Sequence, residues 1–220
     1  MGEAIKKIPR IGIDLDNTIA CYDDAIMILS EKLQGLPTDL PRTKKSLRNY
    51  LHQKERHDDW TSFQGLLYGP GMSYARAFDG AIEYMQKLQA AGYDLWIISH
   101  RSRYPYAGEK YDLQMAAEQW IKGELQSQGL FLGNKNSNCD EPRYQFHETK
   151  ASKIESIMEL EIDIFVDDLP EIISEAKMLG LECGILFDRG DQDVCIQSYN
   201  KAATWEEVYR IILSKYESES

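Results

Sequence analysis

The residues able to do chemistry in this chain fall in three short stretches. The first is Ile11 to Thr18, Ile-Gly-Ile-Asp-Leu-Asp-Asn-Thr, where Asp14 and Asp16 close an apolar run. That run reads as a strand buried on both faces. Two carboxylates at such an exit are costly unless a metal ion, a cationic side chain or loop amides compensate them. The second stretch is Ser99-His100-Arg101, directly after Asp94 to Ile98 (Asp-Leu-Trp-Ile-Ile). The third is Asp167-Asp168, after Ile162 to Val166, with Lys150 and Lys153 just upstream. Asp, Asn and Thr also serve as turn and N-cap residues. Polar groups recurring at successive strand ends, where open α/β sheets bind ligands, point instead to a site.

Elements that alternate along the chain must position these groups. Helical spacing marks Asp23 to Gln34 (Ile26, Leu29, Leu33), Pro41 to Lys54, and Trp60 to Tyr68, closed by Gly69-Pro70-Gly71. Strand–helix rhythm resumes at Phe78, with Ile82, Met85 and Leu88 before the second strand. Leu113, Ala117, Trp120 and Ile121 follow, then a short strand at Leu130 to Leu132 and a polar loop from Gly133 to Asp140. A helix begins near Thr149 with Ile154, Ile157 and Met158 inward, and Pro170 suits the first position of the next. Cys183 to Phe187 is a fifth strand, and Thr204 with Glu207 forms a capping box for a last helix. The tail from Glu217 to Ser220 frays.

This alternation predicts an α/β fold, a Rossmann-like parallel sheet with helices on both faces. The roughly 60 residues between the first and second strands far exceed a normal crossover. They read as a small inserted helical cap placed as a lid. The expected division is a core of residues 1–21 and 78–220 and a cap of residues 22–77.

A formal charge of −11 argues against binding a nucleic-acid polymer or an anionic membrane. Cys21, Cys139, Cys183 and Cys195 are too dispersed for a Cys-x-x-Cys site and read as reduced thiols. No run has the length of a signal peptide or approaches the ~20 apolar residues of a membrane span. A soluble cytoplasmic protein is expected. His52, His57 and His147 lack metal-ligand spacing and read as ordinary polar residues.

The Asp14-x-Asp16-Asn17-Thr18 run, Ser99, an upstream lysine and Asp167-Asp168, in that order, resemble the haloacid dehalogenase superfamily, and within it the Mg²⁺-dependent phosphatases. The resemblance covers nearly the whole chain, including a small helical cap after the first motif. Asp16 sets the chain apart from true dehalogenases, which lack that second carboxylate. The resemblance implies a phosphomonoesterase in which Asp14 attacks phosphorus and forms an aspartyl-phosphate. Asp16 would protonate the leaving alcohol and then activate water. Ser99 and a lysine would hold phosphoryl oxygens; Lys150, at the start of its helix, is preferred and Lys153 is the alternative. Mg²⁺ would bind Asp14, the Asp16 carbonyl and Asp168, with Asp167 supporting.

His100, Arg101 and Arg103 make a basic loop suited to a second anionic group on a substrate. In the cap, Arg56, His57, Trp60, Gln64, Tyr68, Tyr74 and Arg76 are candidate selectors for a small phosphorylated metabolite such as a sugar phosphate or nucleotide. Two other readings use the same residues. One is a phosphotransferase or mutase sharing the intermediate; the other is a non-catalytic, receiver-like Mg²⁺-binding protein. Neither the natural substrate nor the oligomeric state is legible at this level.

Overall fold

The computed structural model describes residues 8–130, 132, 142–190 and 199–217. In chain order the elements are β1 (Arg10–Ile13), β2 (Ala20–Cys21), α1 (Asp23–Ser30), α2 (Lys44–Gln53), α3 (His57–Tyr68) and β3 (Arg76–Ala77). Then come α4 (Ala81–Ala90), β4 (Asp94–His100), α5 (Leu113–Trp120), β5 (Tyr144–His147) and α6 (Lys150–Glu159). The chain closes with β6 (Ile164–Asp167), α7 (Pro170–Met178), β7 (Cys183–Phe187), β8 (Asn200–Ala202) and α8 (Trp205–Glu217). Among the described residues, no helix is long and apolar enough to cross a membrane.

Residues separate into two compact units: 8–19, 78–100 and the described residues from 129 onward, and 20–77 with 101–128. The first is a six-stranded parallel sheet of order β5-β4-β1-β6-β7-β8. Strand order reverses at β1, which lies between β4 and β6, and that reversal opens a crevice at the carboxyl edge. Ile154 and Ile157 of α6 and Ile172 and Ile173 of α7 pack against Ile98 and Phe165 on one face. Helices α4 and α8 pack together on the other, with the Tyr84 and Tyr209 rings 5.2 Å apart. Gly12 is required in β1 because a Cβ there would lie 2.7 Å from Phe165 Cδ2.

The second unit holds α1, α2 and α3, a 3-10 turn at Pro70–Tyr74, the two-residue ribbon of β2 and β3, and α5 with a π turn at Ile121–Leu125. Its interior is made by Leu29, Leu47, Leu51, Trp60, Phe63, Leu67 and Met72.

Three expectations need correction. The strand placed at Leu130 to Leu132 is absent at the described residues of that stretch, and the sheet edge is β5 at Tyr144–His147. Residues 101–128, assigned to the core, pack with the inserted cap, because Trp120 Nε1 donates to the Ala75 carbonyl (2.9 Å) and Leu113 and Trp120 are buried there. Strands β2, β3 and β8 were unexpected; each is two or three residues long, too short for a periodic signal. Cys139, Cys195, the loop at 133–140 and the end of the tail lie outside the described residues.

Candidate active site at the carboxyl edge of the sheet

Every strand of the first unit that carries or precedes a candidate residue ends at the same sheet edge. Asp14 follows β1 and is held by its own amide, which donates to the Val166 carbonyl (2.9 Å). Asp16 follows two residues later, and Asn17 then takes a left-handed φ of 61°, a conformation Asn tolerates, which turns the chain back. Asp167 ends β6, its Oδ1 accepting from the Leu169 amide (2.8 Å), and Pro170 opens α7.

Helix α6 contributes the cation. Thr149 caps it, its Oγ1 accepting from the Ser152 amide (3.0 Å), and this fixes which residues turn inward. Lys153 is fully buried, with Nζ 2.5 Å from Asp14 Oδ1 and 2.7 Å from Asp167 Oδ2. Its ammonium also lies 5.3 Å from the centre of the Phe165 ring. Lys150, preferred from the sequence, is half-exposed and donates to Glu171 Oε1 at 2.6 Å. The helix places Lys153 one turn before Ile157 on the buried stripe, whereas Lys150 points to solvent. The residue at the carboxylates is therefore Lys153.

One carboxylate oxygen each from Asp14, Asp167 and Asp168 lie within 4.8 Å of one another. Oxygens bound to Mg²⁺ at about 2.1 Å are separated by at most ~4.2 Å, so small side-chain rotations would bring all three onto one hard cation. An all-oxygen donor set also suits Mg²⁺ in kind. Asp167 is fully buried with both oxygens engaged, as in a carboxylate that orients its neighbours, while Asp168 is partly exposed.

The charges of the cluster do not balance. Burial pushes the Asp14 carboxyl up to about 7; Lys153 opposes this, while Asp167 and Asp16 add to it. Burial works against the Lys153 charge, but attraction to Asp14 and Asp167 outweighs it, and the ammonium is held above its ordinary range. Ser99, at the next strand end, is fully buried and its Oγ has no hydrogen-bond partner. A buried hydroxyl left unpaired costs about 1–3 kcal/mol, which a bound oxyanion would relieve. Thr18 Oγ1 is likewise buried and unpaired.

His100 sits beside Ser99, half-buried, with Nε2 3.3 Å from the Glu148 carbonyl. The other proposed substrate contacts lie in the second unit, and several are used internally. Arg101 is buried, donating to the Tyr68 carbonyl (2.9 Å), the Leu113 carbonyl (3.0 Å) and the Tyr22 hydroxyl (3.0 Å). Trp60 is buried against Phe63. Arg56 joins Asp59 (2.5 Å) and the Gln34 carbonyl (2.9 Å), and Arg103 pairs with Asp112 (3.0 Å). Arg101 and Trp60 are thus interior residues of their unit, placed there by apolar packing and backbone acceptors. Sequence reading passed over Asp188, a buried carboxylate just after β7 that pairs with Lys201 (2.7 Å) and accepts from the Gly190 amide (2.9 Å). Its position at a strand end was the available signal.

No protein-family model matches the chain, and no curated protein sequence does. Solved structures do. The hydrolase YfnB from Bacillus subtilis, of haloacid dehalogenase type and solved bound to magnesium, shares 15% identity at a TM-score of 0.58, covering 94% of this chain and 99% of that one. A protein from Haemophilus somnus described as a predicted phosphoglycolate phosphatase shares 15% at a TM-score of 0.56, covering 95% and 100%. A dehalogenase shares 12% at a TM-score of 0.55, covering 94% and 98%. The chain has the haloacid dehalogenase-like hydrolase fold, common to phosphatases and dehalogenases, and its acidic cluster is consistent with a metal ion.

Proposed function

We propose that this chain is a Mg²⁺-dependent phosphomonoesterase acting on a small phosphorylated metabolite. The observation that carries the reading is Lys153 bridging Asp14 and Asp167 in a buried site that also holds Asp168. Asp16, two residues after Asp14, favours this over a dehalogenase, since it supplies the acid a phosphate ester's leaving alcohol needs.

Asp14, Asp168 and the Asp16 carbonyl would hold the ion. When bound, it supplies positive charge that screens the anionic ester from the carboxylates. An Asp14 oxygen attacks phosphorus as the ester P–O bond breaks, and Asp16 gives its proton to the departing alkoxide. Asp16 then takes a proton from water, whose oxygen attacks the aspartyl-phosphate and releases phosphate and free Asp14. Lys153 and the Ser99 hydroxyl donate to the non-bridging oxygens as charge builds on them.

Two substrates test this with the purified chain. p-Nitrophenyl phosphate should be hydrolysed with Mg²⁺, and the rate should vanish in chelator and return when Mg²⁺ is restored. A 2-haloacid should release no halide. Halide release, or no phosphate release with any divalent cation, refutes the proposal.

A further inference from the structure

We propose that Trp205, the first residue of α8, is a positioning residue for Asp16, acting through the backbone of the turn that carries it. The inference rests on the phosphatase reading, in which Asp16 moves the proton of the leaving group. Asp14 is fixed twice, by its amide on the Val166 carbonyl and by Lys153 on its carboxylate. The turn beyond it is less favourable in itself. Asn17 takes a left-handed φ of 61°, and the Ile19 amide donates back to the Leu15 carbonyl (3.1 Å). A left-handed residue other than glycine persists only where its surroundings hold it.

The hold comes from the far end of the chain. Thr18 is fully buried and its hydroxyl has no hydrogen-bond partner, but its carbonyl accepts from Trp205 Nε1 at 3.1 Å, across 187 positions of sequence. The next carbonyl, of Ile19, accepts from the Phe78 amide (2.8 Å). Donors outside the turn therefore fix both of its last two carbonyls. A capping box sets Trp205 in place: Thr204 Oγ1 accepts from the Glu207 amide (3.2 Å), and Glu207 Oε2 accepts from the Ala203 amide (2.7 Å).

Packing explains the ring of Trp205 but not its N–H. The side chain is buried beside Phe187, with ring centres 6.2 Å apart, and Phe187 in turn lies 5.2 Å from Phe78. An apolar ring would fill that space; tryptophan adds one donor, and a buried indole N–H needs an acceptor. Here the acceptor is two residues from the acid. A general acid works only within hydrogen-bond reach of the oxygen it protonates, and a misplacement of about 1 Å costs on the order of a hundredfold in rate. Freed at Thr18, the turn no longer holds Asp16 at that distance, while Asp14 stays where β1 and Lys153 put it.

Trp205→Phe keeps a ring beside Phe187 and removes the donor. Phenyl phosphate and p-nitrophenyl phosphate then separate positioning from loss of fold, because kcat/KM covers the steps up to departure of the alcohol. p-Nitrophenolate is a weak base and leaves unprotonated, whereas phenolate draws on the proton of Asp16. The variant should lose at least about fivefold more kcat/KM on phenyl phosphate than on p-nitrophenyl phosphate. Phe187→Leu, which disturbs the same packing and spares the N–H, should keep the native ratio of the two esters. Amide hydrogen exchange needs no turnover: in Trp205→Phe, exchange across residues 15–19 should quicken at least about fivefold, with β7 and the rest of α8 unchanged. Equal losses on the two esters, a ratio moved as far by Phe187→Leu, or unchanged exchange in the turn overturns the proposal. A native chain that hydrolyses neither ester refutes the phosphatase reading instead, and exchange then decides whether Trp205 holds the turn.

Discussion

Lys153 and Asp14 are 139 positions apart in sequence, yet Lys153 Nζ sits 2.5 Å from Asp14 Oδ1 in the interior of the protein. The same ammonium reaches Asp167 at 2.7 Å, so one side chain from α6 ties the ends of β1 and β6 together. Replacing Lys153 by Met leaves Asp14 and Asp167 facing each other without their cation, and the loss in urea unfolding should be about 3–5 kcal/mol. Hydrolysis of p-nitrophenyl phosphate should disappear with it. Lys150→Met removes only an exposed pair with Glu171 and should change stability by less than ~1 kcal/mol, with turnover intact. A Lys150 variant that loses activity would return the sequence preference for that residue.

Asp14→Asn keeps the shape of the side chain and removes the nucleophile. Turnover should fall at least about a thousandfold in a colorimetric phosphate-release assay, while far-UV circular dichroism is unchanged. Turnover retained in that variant would exclude the aspartyl-phosphate route.

The same substitution should stabilise the metal-free protein, increasingly so as pH rises from about 4 to about 7. Asp14 is raised from 3.8 to about 7, chiefly by burial, against the pull of Lys153. A carboxyl raised in the folded state contributes stability that is fully present below its unfolded value and lost as pH rises through about 7. With chelator present, the advantage of Asp14→Asn over the native protein in urea unfolding should therefore grow by roughly 2–3 kcal/mol between pH 5 and pH 8. At pH 8 the variant should be the more stable, by roughly 1–4 kcal/mol. Comparing the two at each pH cancels the contributions of the titrating groups that both proteins share.

Arg101 should behave as an interior residue. Arg101→Met abandons the Tyr68 and Leu113 carbonyls and the Tyr22 hydroxyl, and should cost roughly 2–4 kcal/mol by urea unfolding. Arg103→Met, which loses one exposed pair with Asp112, should stay within about 1 kcal/mol. Equal stability losses for both would show that Arg101 is not buried as described.

Much of the sheet edge was legible because its signals are local. An apolar run that ends in Asp, or in Ser, announces a buried strand and its exit, and this held for β1, β4, β6 and β7. The choice of lysine was not legible from periodicity: Lys150 precedes Ile154 by four positions and Ile157 by seven, so both lysines share the stripe. Only the first turn's place at the helix end leaves Lys150 in solvent. The partners of α5 were not legible. Leu113, Ala117 and Trp120 form the same stripe whether they face a sheet or a cap, since helical spacing records that a face is buried and not what buries it. Strand β8 was hidden for a related reason: three residues at an edge have no period to detect.

The inserted helices draw on two separate lengths of chain, with Arg101 and Trp120 completing an interior begun by residues 20–77. A chimera that transplanted only the first length onto another scaffold would carry the Tyr68 and Ala75 carbonyls without Arg101 and Trp120, which donate to them. Recombination of this insertion, natural or designed, must move both lengths together, so the segment leaving Ser99 is as much a part of the exchangeable module as the helices before it.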